Sequence, residues 1–221
     1  MLEQILPYEQ DLFFMINGNH HPWLDPIMWL LSNTILLVPF LLFLYIFFKN
    51  KKDTGTWLPI FFAMTFVFLI GDLFSSTLIK PYVQRLRPTH YPGIEEHVRT
   101  LYNYAGKKYG FLSGHATNSF GFATFSSLLF RKKGYSWAIY IWAFFVCYSR
   151  VYLGVHFISD IMAGTILGLI IGFFVYKLYR LYRVEIQKKH LTNGKKQTID
   201  GVLIILFLML IFTTLHTEGL I

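Results

Sequence analysis

Apolar runs of membrane-crossing length alternate along this chain with short polar breaks, and that alternation predicts a bundle of helices. The run 26–48 holds no charged residue. At ~1.5 Å per helical residue it can cross a hydrocarbon core of ~30 Å. Further runs cover about 57–79, interrupted only by Asp72, then 112–130, 135–149, 157–176 and 202–215. Ahead of them, residues 2–17 interleave Leu2, Ile5, Leu6, Leu12, Phe13, Phe14 and Ile16 with acidic positions. That pattern suits an amphipathic helix lying at the membrane surface, bent or late-starting because of Pro7. The expected fold is all-α: a polytopic membrane helical bundle of about six transmembrane helices plus that N-terminal interfacial helix. Residues 1–221 read as one integral membrane domain, with an N-terminal portion 1–25 and a chemistry-bearing region 80–160.

Composition supports the membrane reading. The chain is 54% hydrophobic, 19% aromatic and only 14% charged, against about 25% charged residues in soluble domains. A formal net charge of +8 would suggest nucleic acid in a soluble protein; here the basic residues serve as topology signals and no nucleic-acid partner is expected. The loops after the first, third and fifth runs carry 3, 3 and 7 of the 20 Lys and Arg residues, the segments outside the runs at either end none. Those loops are therefore expected on the cytoplasmic side. The loops 80–111 and 150–156 then share the outer face. The single cysteine, Cys147, lies in an apolar run and supports neither a disulfide framework nor a thiol–metal site. The acidic N-terminal residues Glu3, Glu9 and Asp11, with no early Lys or Arg, do not read as a cleavable signal peptide.

The polar residues of the outer face carry the candidate chemistry. One loop begins Lys80-Pro-Tyr-Val-Gln-Arg-Leu-Arg87-Pro88 and ends Phe111-Leu112-Ser113-Gly114-His115; the other contributes Ser149-Arg150 and, after five residues, His156 with Asp160 four positions on. At that spacing on a helix, Asp160 accepts a hydrogen bond from one imidazole nitrogen and leaves the other free. Lys80, Arg87 and Arg150, the last expected on the loop before the fifth run, supply positive charge. Ser113-Gly114 at a helix start offers a hydroxyl and backbone N–H groups to an anion. Three cations, two histidines and a carboxylate fit phosphoryl transfer. His156, oriented by Asp160, would attack phosphorus, and His115 would protonate the leaving group and then activate water. No carboxylate cluster or paired histidines suggest a divalent-metal site, so the expected reaction uses neither metal nor cofactor.

The blander readings are distinct. Lys80 and Arg87 could be snorkelling anchors, and His156–Asp160 a structural pair. Asp72 reads first as a polar contact between helices. His20 and His21 read as interfacial, and His90, His97, Arg99, Lys107 and Lys108 as solvated loop residues.

These residues resemble the type 2 phosphatidic acid phosphatase family, whose pattern is Lys-x6-Arg-Pro, then Pro-Ser-Gly-His, then Ser-Arg-x5-His-x3-Asp. Lys80, Arg87 and Pro88 match the first block, and Ser149, Arg150, His156 and Asp160 the third. Ser113, Gly114 and His115 match the second, with Leu112 in the place of the proline. The resemblance covers residues 80–160 and implies a phosphohistidine mechanism with the roles given above. It further implies a lipid phosphatase in a bacterial-type inner membrane, multi-pass, with its site on the periplasmic face. Its partners would be the bilayer and a phosphorylated lipid: undecaprenyl diphosphate, phosphatidylglycerol phosphate, phosphatidic acid or a lipid A phosphate. Two other readings stay open: a lipid phosphotransferase with the same intermediate, and a transporter that binds phospholipid without cleaving it. Neither the oligomeric state nor the lipid tail is legible in the residues.

Overall fold

A computed structural model of the chain describes residues 2–192, with side chains from 8 to 185. Among those residues the chain is all-helical, and the one strand-like feature is a bridge between Leu86 and Tyr109. In order, α1 is Leu2–Asn17, α2 Asp25–Asn33, α3 Leu37–Lys49 and α4 Thr54–Asp72. A π-helical segment, Leu73–Ile79, runs into α5, Lys80–Val83; then come α6 (Gly114–Phe130), α7 (Lys133–Tyr152) and α8 (Ile158–Thr192).

The first apolar run is not one helix. α2 and α3 meet at a bend of 57°. Asn33 and Thr34 turn their side chains back onto the carbonyls of Trp29 and Leu30, local bonds that compete with helix continuation. Pro39 sits two residues after Leu37, the first residue of α3; in a continuous helix its ring would meet the carbonyl of Ile35. The second run matches expectation and extends it, since α4, the π segment and α5 together form one rod, Thr54–Val83. α7 is longer than expected and carries Arg150 in its last turn, not on a loop. α8, 35 residues long, continues through Lys177, Arg180 and Arg183, where a basic linker was expected. The sixth apolar run, 202–215, lies outside the described residues. α1 starts at Leu2, well ahead of Pro7, so the expected late start is not found.

Two described helices, Thr54–Val83 and Ile158–Glu185, are long and apolar enough to cross a membrane; the bent α2–α3 pair makes a third if it counts as one span. α6 falls short on length and apolarity for a physical reason. α6 is rich in small and hydroxylated residues, and Thr117, Asn118, Ser119, Thr124 and Ser126 are buried inside the bundle. A helix facing protein all round need not be oily.

α6 and α8 form the centre. Gly164, Gly168 and Gly172 recur every four residues on α8, and a Cβ there would lie 2.5, 2.4 and 2.3 Å from the backbone oxygens of Ser113, Thr117 and Gly121. Only a bare glycine stripe allows this approach, the small-residue packing of apolar bundles. Around it, Val67 of α4, Phe122 and Phe125 of α6, Ala143 of α7 and Ile171 and Val175 of α8 pack one core. A second, smaller core of Phe13, Ile94, Val151 and Phe157 joins α1 to the 84–113 loop and the α7–α8 junction. The Asn17 side-chain amide fastens the same region, donating to the Arg99 and Tyr152 carbonyls at 2.8 and 2.9 Å and accepting from Arg99 N–H at 2.9 Å. α1 is thus packed through a buried face that includes Phe13 and Asn17. His20, read as interfacial from the sequence, is also buried: it stacks on Tyr152 with ring centroids 4.2 Å apart. Asp72 accepts from Asn118 Nδ2 at 3.0 Å, the helix-to-helix contact expected of it.

Gly168→Leu should overpack the α6–α8 contact by more than the ~1–3 kcal/mol of an ordinary core insertion, because the obstacle is backbone. Thermal unfolding in detergent micelles should show a lower transition temperature; an unchanged transition would mean that the helices are not held at this distance.

Candidate functional site

The α6–α8 contact brings two sequence blocks together. The Ser113 N–H donates to the Asp160 carbonyl at 3.1 Å, so the start of α6 and the first turn of α8 are hydrogen-bonded. Ser113 caps α6, its Oγ accepting from Ala116 N–H at 3.4 Å. Its hydroxyl therefore serves the helix end as much as any ligand. Gly114 and His115 follow in the first turn, where N–H groups lack intrahelical acceptors.

His156 is not on α8, as its spacing from Asp160 suggested. It sits two residues before the helix begins, and Asp160 reaches back to it. Asp160 Oδ2 accepts from Phe157 N–H at 3.0 Å and lies 3.4 Å from His156 Nδ1. On the other ring edge, Arg87 Nη1 is 3.3 Å from His156 Nε2. A guanidinium only donates, so Nε2 is the lone-pair nitrogen and Nδ1 carries the proton towards Asp160. Arg87 is fixed by two further bonds, to the carbonyls of Val155 (2.9 Å) and Tyr109 (3.2 Å). Burial first, then the charge of Arg150, lowers its guanidinium to about 10, so it is still a cation at neutral pH. The His156 imidazole is held well below its usual range by burial first and then by Arg87, Arg150, Lys80 and His115. It is neutral at pH 7.

Arg150 is buried and donates to Ser32 Oγ on α2 and, at 3.3 Å, to the Tyr104 hydroxyl. The Ser32 carbonyl lies 3.0 Å from His115 Nε2; a carbonyl only accepts, so His115 carries its proton on Nε2. Ser32 thereby bridges Arg150 and His115, and the α2–α3 bend comes immediately after it. Lys80 arrives through the π segment. The wider turn of that segment shifts the helical register of the residues beyond it, and Lys80 Nζ ends 3.5 Å from Ser76 Oγ, close to Gly114. A cavity of ≈ 360 Å³ opens beside these groups, lined by Ser76, Thr77, Lys80, Pro81, Arg87, Lys107 and Tyr109. Lys107 therefore belongs to the wall of the site and not only to a solvated loop.

All eight candidate residues (Lys80, Arg87, Ser113, Gly114, His115, Arg150, His156 and Asp160) fall in this one region. Four others were not foreseen: Ser32, Tyr104, Arg85 and Glu9. Arg85 is buried, donating to Asp160 Oδ1 at 2.8 Å and to Glu9 on α1. A signal for it existed. Arg85 and Arg87 flank Leu86 in the extended stretch after α5, and alternate residues there share a side. Nothing in the sequence pointed to Glu9, which alternation had given to the polar face of α1.

Residues 56–183 match the model of the PAP2 superfamily. Over 182 residues the chain is 45% identical to a lipid A 4'-phosphatase of Porphyromonas gingivalis, covering 80% of this chain and 75% of the relative. A lipid A 4'-phosphatase of Bacteroides thetaiotaomicron is 33% identical, with 88% and 87% covered. Among solved structures, Aquifex aeolicus LpxE superimposes with a TM-score of 0.57 at 27% identity, over 77% of this chain and 95% of that one. A transmembrane PAP2-type phosphatidylglycerolphosphate phosphatase of Bacillus subtilis gives a TM-score of 0.61 at 24% identity, over 83% and 88%, a likeness of fold. With more than half of its length inside the family's pattern, and the three motif blocks gathered around His156, the chain belongs to the PAP2 superfamily.

Proposed function

We propose that this chain is an integral membrane lipid phosphatase that removes a terminal phosphate through a phosphohistidine at His156. The observation that carries the reading is the state of His156: a neutral imidazole with Nδ1 turned to Asp160 and its Nε2 lone pair beside Arg87. Nε2 attacks phosphorus while the P–O bond to the lipid breaks, and His115, doubly protonated once the anionic substrate is bound, keeps its Nε2–H on the Ser32 carbonyl and passes its Nδ1 proton to the leaving oxygen. His115 then takes a proton from water, which attacks the phosphohistidine and releases inorganic phosphate. Lys80, Arg87, Arg150, the Ser113 hydroxyl and the first-turn N–H groups of Gly114 and His115 hold the phosphoryl oxygens. Among the described residues no three His, Cys, Asp or Glu side chains gather as a ligand set. The donors present are cationic, so the reading is metal-independent.

The relatives named above favour the 4'-phosphate of lipid A as substrate, ahead of undecaprenyl diphosphate, phosphatidylglycerol phosphate and phosphatidic acid. The topology that goes with this reading is six spans in a bacterial inner membrane, the chain forming one domain and the site facing the periplasm. The lipid tail reaches the site from the side, where the α2–α3 bend exposes Leu30, Leu36 and Leu37. The phosphotransferase alternative shares every step but the acceptor, and it differs in releasing no inorganic phosphate when an acceptor lipid is supplied.

Purified enzyme should release phosphate from a panel of lipid phosphates, fastest with lipid A. His156→Ala should lower turnover by at least ~10³-fold while vesicle-bound substrate is still retained; persisting turnover would remove His156 as nucleophile. EDTA should leave the rate within twofold, and inhibition reversed by Mg²⁺ would overturn the metal-free mechanism. His156 contributes to the acid side of the stability profile. Its folded-state pKa lies below the unfolded value of ~6.5, so the unfolded chain binds the proton first. Stability present above ~6.5 is then lost as pH falls, with a slope up to ~1.4 kcal/mol per pH unit. Melting temperature in detergent should drop between pH 7 and 5, and His156→Asn should drop less.

A further inference from the structure

The PAP2 match covers 56–183, and α1 lies wholly outside it. Yet α1 supplies a buried carboxylate to the site. Glu9 Oε1 accepts from Arg85 Nη2 and, at 3.1 Å, from Ser159 Oγ, while Glu9 Oε2 accepts from Ser159 N–H at 2.9 Å. Arg85 Nη1 donates to Asp160 Oδ1 at 2.8 Å and to Ser159 Oγ at 2.5 Å, and the guanidinium lies 4.6 Å over the Phe157 ring. Arg85 and Glu9 are each 7% exposed, and Asp160 and His156 0% and 1%.

We infer that Glu9 and Arg85 form a positioning relay for the His156–Asp160 pair, so that the N-terminal helix is part of the catalytic apparatus. The relay rests on the nucleophile reading given above. Its geometry divides the Asp160 carboxylate: Oδ1 is taken by Arg85, which leaves Oδ2 aimed at Phe157 N–H and His156 Nδ1. Its charge is balanced in a way that a lone arginine could not achieve. Arg85 by itself would neutralise Asp160 and leave His156 without a negative partner as it turns cationic on phosphorylation. Glu9 cancels Arg85 and returns a net single negative charge to the cluster. The Glu9 bonds to Ser159, one residue from Asp160, also fix the first turn of α8 against α1. Lysine cannot serve here, because the fork must reach two carboxylates and a hydroxyl at once.

The test is a double-mutant cycle on the full-length protein, read as phosphate release from lipid A in micelles. Arg85→Gln and Glu9→Gln should each lower kcat by roughly 10- to 100-fold with KM changed less than about twofold, and Arg85→Lys should recover only part. In an Asp160→Asn background Arg85→Gln should alter kcat by less than about twofold, since its effect runs through Asp160. The pair Glu9→Gln/Arg85→Gln removes both outer charges together. It should melt within a few degrees of wild type yet keep the low kcat, which separates positioning from folding. Equal losses in both backgrounds, losses confined to KM, or wild-type kcat in the melted-normal pair would overturn the relay. Asp160→Asn alone reports on the underlying reading. Wild-type kcat there sinks the His156–Asp160 assignment and the relay with it, whereas a low kcat with additive losses sinks only the relay.

Discussion

A carboxylate with no exposure to solvent must be paired, and Asp160 sets that demand at the centre of this protein. Transferring an ionised group from water into a packed interior costs several kcal/mol unless hydrogen bonds and opposite charge compensate it. Asp160 collects a backbone N–H from Phe157, an imidazole from His156 and a guanidinium from Arg85. Each partner imposes a further requirement. Phe157 N–H fixes the first turn of α8, His156 must stand just ahead of that turn, and Arg85 brings its own need for a second anion. Glu9 meets it, and α1 is thereby drawn onto the bundle.

Nothing in this arrangement would hold without the close contact between α6 and α8. The glycines of α8 let the α6 backbone come near enough for Ser113 N–H to meet the Asp160 carbonyl. That single bond couples the block that starts α6 to the block that starts α8. The first block, Lys80–Pro88, joins them through its loop: Arg87 N–H bonds the Lys108 carbonyl and Gly110 N–H the Arg85 carbonyl, so the long loop closes on itself and turns Arg85 and Arg87 inward. The cations then surround a neutral imidazole. Their mutual repulsion raises the energy of the empty cluster, which suits it to an anion and not to a neutral group.

The bend between α2 and α3 has the same logic on the opposite wall. Asn33 and Thr34 end α2 by bonding backward, and Ser32, the residue before them, presents both its hydroxyl and its carbonyl to the site. Arg150 and His115 are held by it in turn. A straight helix would satisfy its own carbonyl at Ser32 and leave His115 Nε2–H without that acceptor.

The sequence by itself determined the helical class, the approximate limits of the apolar rods and the eight candidate residues drawn from the three motif blocks. These depend on composition and on spacing within single segments, and both are local. Tertiary structure alone decided the position of Arg150 inside α7 and of His156 outside α8, and the recruitment of Ser32, Tyr104, Arg85 and Glu9. Each of those depends on which segment faces which, across as many as 150 positions in the case of Glu9 and Ser159. Alternation could assign Glu9 to a polar face; it could not reveal that the face turns inward towards a buried arginine.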